Sequence, residues 1–408
     1  MKNKTVFVIG AGSTRYLGMP TSEEQTKLIY KLKENCDGNL FDLSVILDET
    51  FGEKNYNIND VYNFIDSNLL LHNALQSKSK KIEYYELEKC KKDLIKHILS
   101  LFLEKLNKKD DEKYNKLVNF YKGLAEKELQ KKINGNCDFQ DRKNFVSSYS
   151  IINFNWDLYS LFPVIKANEI VNHNNDYYLA TGKNPKLRMY LDFNCEYAGT
   201  SDTDKFWYPF TETAALNVNN DDYEPKRKVV LTKYFLPHGA MNFFKCTSCA
   251  KHSYFLGKLD IDSVIEKIDY NDDEKELYKC PYCEKAIYSN DFDVLAQSNF
   301  KTRNSYLEEV RLSMMQELRS ADTLVFIGYS MPDDDVDYIT MFKSLNCNIE
   351  KVYVVLRGEK AENSFVGYGG LTEKEREEIK NYHKVFKEKA VYNMAGAPDA
   401  FDEILKVV

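Results

Sequence analysis

The chain has 408 residues, with 56 Lys and Arg against 63 Asp and Glu, a formal net charge of −7 and a pI near 5.6. That balance excludes the broadly basic surface that binds nucleic acid directly, and 43% hydrophobic with 29% charged residues excludes a disordered chain. No apolar run approaches the roughly 18 residues of a membrane span and the start, MKNKTVFVIG, has no signal-peptide layout, so a cytoplasmic protein without membrane contact is expected.

In chain order, residues 5–10 (TVFVIG) form a β-branched apolar run that predicts a strand, followed by the turn Gly10-Ala11-Gly12-Ser13-Thr14 and a helix over 21–32. Residues 39–141 are rich in Lys, Glu, Leu and Tyr with helical periodicity at 87–106 and 112–132. Strand character returns at 145–154 and ends in Asn155-Trp156-Asp157. Residues 171–222, rich in Asn, Asp and Tyr, read as loops with one strand at 189–193. A clear strand at 229–236 runs into Pro237-His238-Gly239, and a cysteine-bearing segment spans 243–289. The rest reads as a helix at 305–320, a strand at 323–327 ending in Gly328-Tyr329-Ser330, a strand at 352–356, and helices at 372–386 and 398–407.

Strands alternating with helices at both ends of the chain predict an α/β fold with a Rossmann-like, mainly parallel sheet. It would be carried by residues 1–38, 143–242 and 301–408, with a helical insertion at 39–142 and a small zinc-binding module at 243–300. In such sheets ligands bind beyond the carboxyl ends of the strands, where the polar clusters named above fall.

Four sequence features carry chemistry. Glycines at Gly10 and Gly12 let the backbone turn tightly and approach a pyrophosphate, and a following helix would offer unpaired N–H groups. The dehydrogenase fingerprint needs a third glycine where Arg15 stands, and no acidic strand end follows at the required distance, which disfavours hydride transfer. The pairs Cys246/Cys249 and Cys280/Cys283 each place two thiolates on one tight turn and together supply the four sulfurs that a closed, structural zinc site takes. Cys36, Cys90, Cys137, Cys195 and Cys347 are scattered and read as packing residues or inert thiols. Asn155 and Asp157 at one strand end, and His238 before a permissive glycine at another, could meet over the glycine turn. His252, near the cysteines, reads as a surface histidine.

Taken in order, the Gly-Ala-Gly turn followed by Gly18-Met19-Pro20, the Asn-x-Asp strand end, His238-Gly239, the two cysteine pairs and a late Gly-x-Ser resemble the sirtuin superfamily. Within it, Gly328-Tyr-Ser-Met-Pro-Asp-Asp-Asp335 looks most like the bacterial sirtuin-like NAD hydrolases of antiphage defence. The resemblance implies that Gly10, Ala11, Gly12 and Ser13 hold the pyrophosphate of NAD and that Asn155 orients a water at the nicotinamide ribose. It further implies that Asp157 bonds the carboxamide, His238 acts as general base, Gly328 and Ser330 meet a phosphate or ribose, and Arg357 and Gly396 lie at the adenosine end. The chain departs from protein deacylases at Thr21-Ser22-Glu23 and Phe154, and it lacks a Phe-Gly-Glu segment after the last zinc cysteine.

The implied activity is cleavage of the nicotinamide–ribose bond to nicotinamide and ADP-ribose by a regulated effector of an antiphage (abortive infection) system. Such an effector would be a homo-oligomer with a helicase-type ATPase or Argonaute-like partner. The alternatives are an NAD-dependent protein deacylase and a nucleotide-binding regulatory subunit without turnover.

Overall fold

The computed structural model describes residues 4–107, 110–135, 138–174, 177, 185–199, 211–220, 227–294, 305–333, 335–358 and 363–408. Cys137 and the last part of the expected zinc module, residues 295–300, lie outside them. Seven strands form one parallel sheet: β1 (Thr5–Ile9), β2 (Tyr149–Asn153), β3 (Lys186–Asp192), β4 (Arg227–Phe235), β5 (Thr323–Ile327), β6 (Lys351–Val355) and β7 (Ala390–Asn393). Their order is β7-β6-β5-β1-β2-β4-β3, and every neighbouring pair runs parallel. A parallel sheet must be buried on both faces, which is why its strands read as continuous apolar runs and not as alternating ones.

The helices follow from that demand. Phe7 and Phe326 sit at adjacent registers of β1 and β5, so they point to opposite faces. On one face Phe7 meets Phe120 edge-on (6.2 Å), and Phe120 stacks on Phe401 (4.5 Å), bringing the helices Asp111–Asn134 and Phe401–Val407 onto the sheet. On the other, Phe326 packs on Phe342 and Phe386 from the helices Val336–Leu345 and Lys380–Phe386. The amino ends of the strands are held by an ionic cluster around the buried Glu317 carboxylate. Lys4 Nζ and Arg142 Nη2 lie 2.7 and 3.1 Å from Glu317, which also accepts from Ser150 Oγ at 2.7 Å. Burial pushes the Glu317 carboxyl up, but Lys4, Ser150 and Arg142 outweigh it and hold it at about 2. Burial pulls the Lys4 ammonium down, and Arg142 adds to that, against the pairing with Glu317 that raises it.

One expectation changes. Residues 171–222 hold more than one strand: besides β3 there is a helix at Glu212–Asn219 and a strand at Glu196–Gly199, which pairs in parallel with His252–Gly257 beside the cysteines. These elements are short and take their order from long-range pairing, a signal that local periodicity does not carry. Between the glycine turn and the expected helix lie two 3-10 turns, Ala11–Ser13 and Arg15–Leu17. Gly18 then turns left-handed (φ +90°), and the helix Ser22–Ile29 begins only after Pro20, on a capping box in which Thr21 and Glu24 bond each other.

The chain reverses its direction across the sheet at β1, with β2 on one side and β5 on the other. That switch point is where an open α/β sheet leaves a crevice. Ile9 lies opposite both Asn153 and Ile327, so the three central strands end at one level.

Candidate functional site

Beyond those strand ends lies a cleft of about 520 Å³ whose wall takes residues from the turns after β1, β2, β4, β5, β6 and β7. Gly10, Ala11, Gly12, Asn155, Asp157, His238, Gly328, Ser330, Arg357 and Gly396 all line it. Six strand ends separated by up to hundreds of residues therefore converge because the sheet is parallel and in register.

The floor is a contact between two turns. Gly12 N–H donates to Gly328 O (2.8 Å) and Gly10 N–H to Ile327 O (3.0 Å). A Cβ on Gly328, whose φ is +65°, would stand 2.0 Å from Ser13 N. The glycines are thus required by the fit of turn to turn, before any ligand is considered.

Asn155 is buried and donates both amide protons, to Gly10 O (3.1 Å) and Ser13 Oγ (3.2 Å). With both protons used, its carbonyl oxygen is what it can offer a ligand or water. Ser13, which the sequence suggested at the pyrophosphate, is 3% exposed and its hydroxyl lies beneath Asn155, not on the cleft wall. The β2 turn is fixed further by Asn155 N–H to Asn153 Oδ1 (3.1 Å) and Asn153 Nδ2 to Ser160 Oγ (2.8 Å).

Asp157 accepts from Thr14 Oγ1 (3.0 Å) and Ser160 N–H (2.9 Å), so β1's turn is tied to β2's. Burial pushes its carboxyl up to about 6 despite those two donors. A raised folded value means that the native state holds the proton more tightly than the unfolded chain. The contribution of Asp157 to stability is therefore full below about pH 4 and is lost as pH rises through about 6, where the buried group must ionise, at a cost of about 3 kcal/mol. Asp157→Asn is expected to raise the melting temperature at pH 7.5 and to leave it unchanged at pH 4. A variant melting below wild type at pH 7.5 would contradict this.

His238 follows β4 and is 2% exposed. Its ring meets Phe154 edge-on at 5.1 Å and Tyr338 at 5.6 Å. Phe154 in turn stacks on Tyr329 (4.8 Å), whose hydroxyl donates to Asp335 (2.7 Å). Met241 N–H donates to Trp156 O (2.8 Å), which ties the histidine turn to the asparagine turn. At the far end Arg357 bridges to Ala395, and Gly396 (φ +76°) leaves only 3.1 Å for a Cβ against Arg357 Cβ.

Sequence reasoning missed part of the wall. Asn59, Tyr62 and Phe102 from the helical segment, Trp156, and Glu378 also line the cleft. Tyr62 and Phe102 sit on amphipathic helices, where a cleft-facing aromatic has the same periodicity as a core one. Trp156 stands between Asn155 and Asp157, and that position is the signal for it in the sequence.

The cysteines form a separate centre. Cys246 and Cys280 open two equivalent turns. Ala250 N–H donates to Cys246 O (2.8 Å) and Glu284 N–H to Cys280 O (2.9 Å), with Ala250 and Glu284 left-handed at φ 56° and 61°. The sulfurs of Cys246 and Cys283 are 3.6 Å apart, those of Cys249 and Cys280 are 3.7 Å apart, and all four lie within 4.8 Å of one another. A zinc–sulfur bond of about 2.3 Å gives a tetrahedral edge of roughly 3.8 Å, so the set fits zinc with no open position. His252 is not a surface residue. It is 3% exposed, lies between the Phe243 and Tyr306 rings (5.1 and 4.9 Å), and places Nε2 2.8 Å from Asp293 Oδ2. Its strand, His252–Gly257, is the middle one of three, between Glu196–Gly199 and Phe243–Lys245, which the sequence around it does not reveal.

Fold and site define a Rossmann-type α/β protein with a cleft at its switch point and a four-cysteine, zinc-fitting module. No protein-family model matches the chain, and no curated protein matches it in sequence. Among solved structures it is similar to a Sir2 homologue in complex with NAD, at 12% identity and a TM-score of 0.39, covering 99% of this chain and 88% of that one. It is also similar to a substituted Sir2 homologue in complex with ADP-ribose, at 11% identity and TM-score 0.36 over 99% and 90% of the two chains. A third similarity is to a sirtuin structure concerned with substrate affinity, at 10% identity and TM-score 0.36 over 98% and 92%. Among the described residues no helix is long and apolar enough to cross a membrane.

Proposed function

We propose that this chain is a sirtuin-type NAD hydrolase that releases nicotinamide and ADP-ribose. The observation that carries the reading is that Asn155 and His238, from different strands, line the same cleft as the Gly10–Gly12 turn. The dinucleotide would lie with its diphosphate over Gly10, Ala11 and Gly12, one phosphate or ribose near Gly328 and Ser330, and its adenosine toward Arg357 and Gly396. Ser13 would act through Asn155, to which it is bonded.

The chemistry asks little of the protein, because nicotinamide leaves a pyridinium as a neutral base and needs no general acid. Water oxygen bonds to the ribose C1′ as the C1′–N bond breaks, the pyridinium nitrogen takes the electron pair, and the water proton passes to His238. Asn155 Oδ1 is the group that can orient the water, and the His238 imidazole is the group that can take its proton. Asp157 would bond the nicotinamide carboxamide. Zinc, when bound by the four cysteines, supplies folding free energy to the module; no step of the reaction passes through it.

The same reading makes the protein a cytoplasmic, regulated effector of antiphage defence, silent at rest, active as a homo-oligomer or with a helicase-type ATPase or Argonaute-like partner. A deacylase is the other use of such a cleft. Incubation with NAD and the proteins encoded beside it, with and without an acetyl-lysine peptide, separates them: nicotinamide release that does not depend on the peptide supports the hydrolase, and release only with the peptide supports the deacylase.

A further inference from the structure

Among the described residues, the charged side chains on the cleft wall are unequally distributed. Glu23, Asp157 and Glu378 are acidic, and the guanidinium groups of Arg15 and Arg357 are the cations. A dinucleotide would add the charge of its diphosphate to a wall that sets three carboxyl groups against two guanidinium groups. The turn beneath that diphosphate cannot meet it with a helix end, since Ala11–Ser13 and Arg15–Leu17 are 3-10 turns of three residues each. Arg357 follows β6, which β5 separates from β1, so it stands about 10 Å along the sheet from the glycine turn at a strand spacing of about 4.8 Å. Arg15 is only three residues past Gly12.

The local structure also holds Arg15 ready. Its backbone is fixed by Gly18 N–H donating to Arg15 O (2.9 Å), and its neighbour Tyr16 packs edge-on against Phe401 at 6.5 Å. The side chain, 53% exposed, makes one loose ion pair, Nη2 to Glu24 Oε1 at 3.9 Å. Glu24 itself cannot follow: its Oε2 accepts from Thr21 N–H (2.8 Å) and Thr21 Oγ1 (3.0 Å) in the capping box. A long single contact to a pinned carboxylate is readily exchanged for the bidentate pairing that a planar guanidinium makes with phosphate oxygens.

We infer that Arg15 is the diphosphate-binding cation of this cleft and exchanges its contact with Glu24 for the diphosphate on binding. The inference rests on the dinucleotide reading above and adds to it a specificity residue at a position where a dehydrogenase fingerprint would carry glycine. It selects ligands by their diphosphate, independent of what is attached to the ribose.

The test is calorimetric binding of ADP-ribose and of adenosine to the full chain as wild type, Arg15→Gln and Arg15→Lys, at low and high salt. Arg15→Gln is expected to weaken ADP-ribose by about 10- to 100-fold, with Arg15→Lys in between. Adenosine affinity should be unchanged, and the salt sensitivity of ADP-ribose binding should shrink with the lost charge. Equal affinity of wild type and Arg15→Gln for ADP-ribose would overturn this inference alone. A wild-type chain that binds no ADP-ribose at millimolar concentration would overturn it together with the dinucleotide reading. A glutamine variant that loses adenosine to the same degree would assign Arg15 to the general architecture of the cleft and overturn the inference as well.

Discussion

His238→Ala and Asn155→Ala are each expected to lower nicotinamide release from NAD by about 10²- to 10⁴-fold, the range in which a positioned proton acceptor and its water contribute to a rate. The two should fail differently. His238 is held by ring contacts with Phe154 and Tyr338, so its truncation leaves the turns around the glycines in place and NAD binding within a few-fold of wild type. Asn155 also bonds Gly10 O and Ser13 Oγ, so its loss should weaken binding and lower the melting temperature as well as the rate. Steady-state kinetics beside direct binding separates the cases: a His238→Ala variant that turns over at the wild-type rate would remove the assignment of the base.

Loss of the zinc-fitting centre should produce the largest change in stability. Four thiolates closing on one metal are worth roughly 10–16 kcal/mol of apparent binding free energy in small zinc modules, and here the strand Glu196–Gly199 and the buried His252–Asp293 pair both lean on that module. Purified protein should contain one zinc per chain, and Cys280→Ser should lose it along with the folded module. Asp293 O lies 2.6 Å from where a Cβ on Gly239 would stand, so the turn bearing His238 touches the module, and the serine variant should lose activity too. Elemental analysis showing no metal, with an unchanged melting temperature after strong chelation, would refute the zinc assignment.

Much of this was legible in the chain because it rests on local chemistry. Continuous apolar runs such as TVFVI and TLVFI announced buried parallel strands, and each cysteine pair announced its own turn. The strand ends announced the cleft once a parallel sheet was assumed, since residues that follow such strands share one edge. What was not legible depends on long-range pairing. The burial of His252 comes from Phe243 and Tyr306, of which Tyr306 is 54 positions away in sequence, and the burial of Ser13 goes with its bond to Asn155, 142 positions away. The contribution of Asn59, Tyr62 and Phe102 to the cleft was hidden for a different reason: the helices that carry them have their own apolar stripes, and periodicity alone does not say which member of a stripe meets a cleft.

The central claim is that the separated polar strand ends act together on one dinucleotide. It is tested most directly by incubating the purified chain with NAD, alone and with the proteins encoded beside it, and separating the products by chromatography. Equimolar nicotinamide and ADP-ribose, formed without any acylated peptide and lost in His238→Ala, is the predicted result; intact NAD under every combination, from a chain shown to be folded, would contradict it.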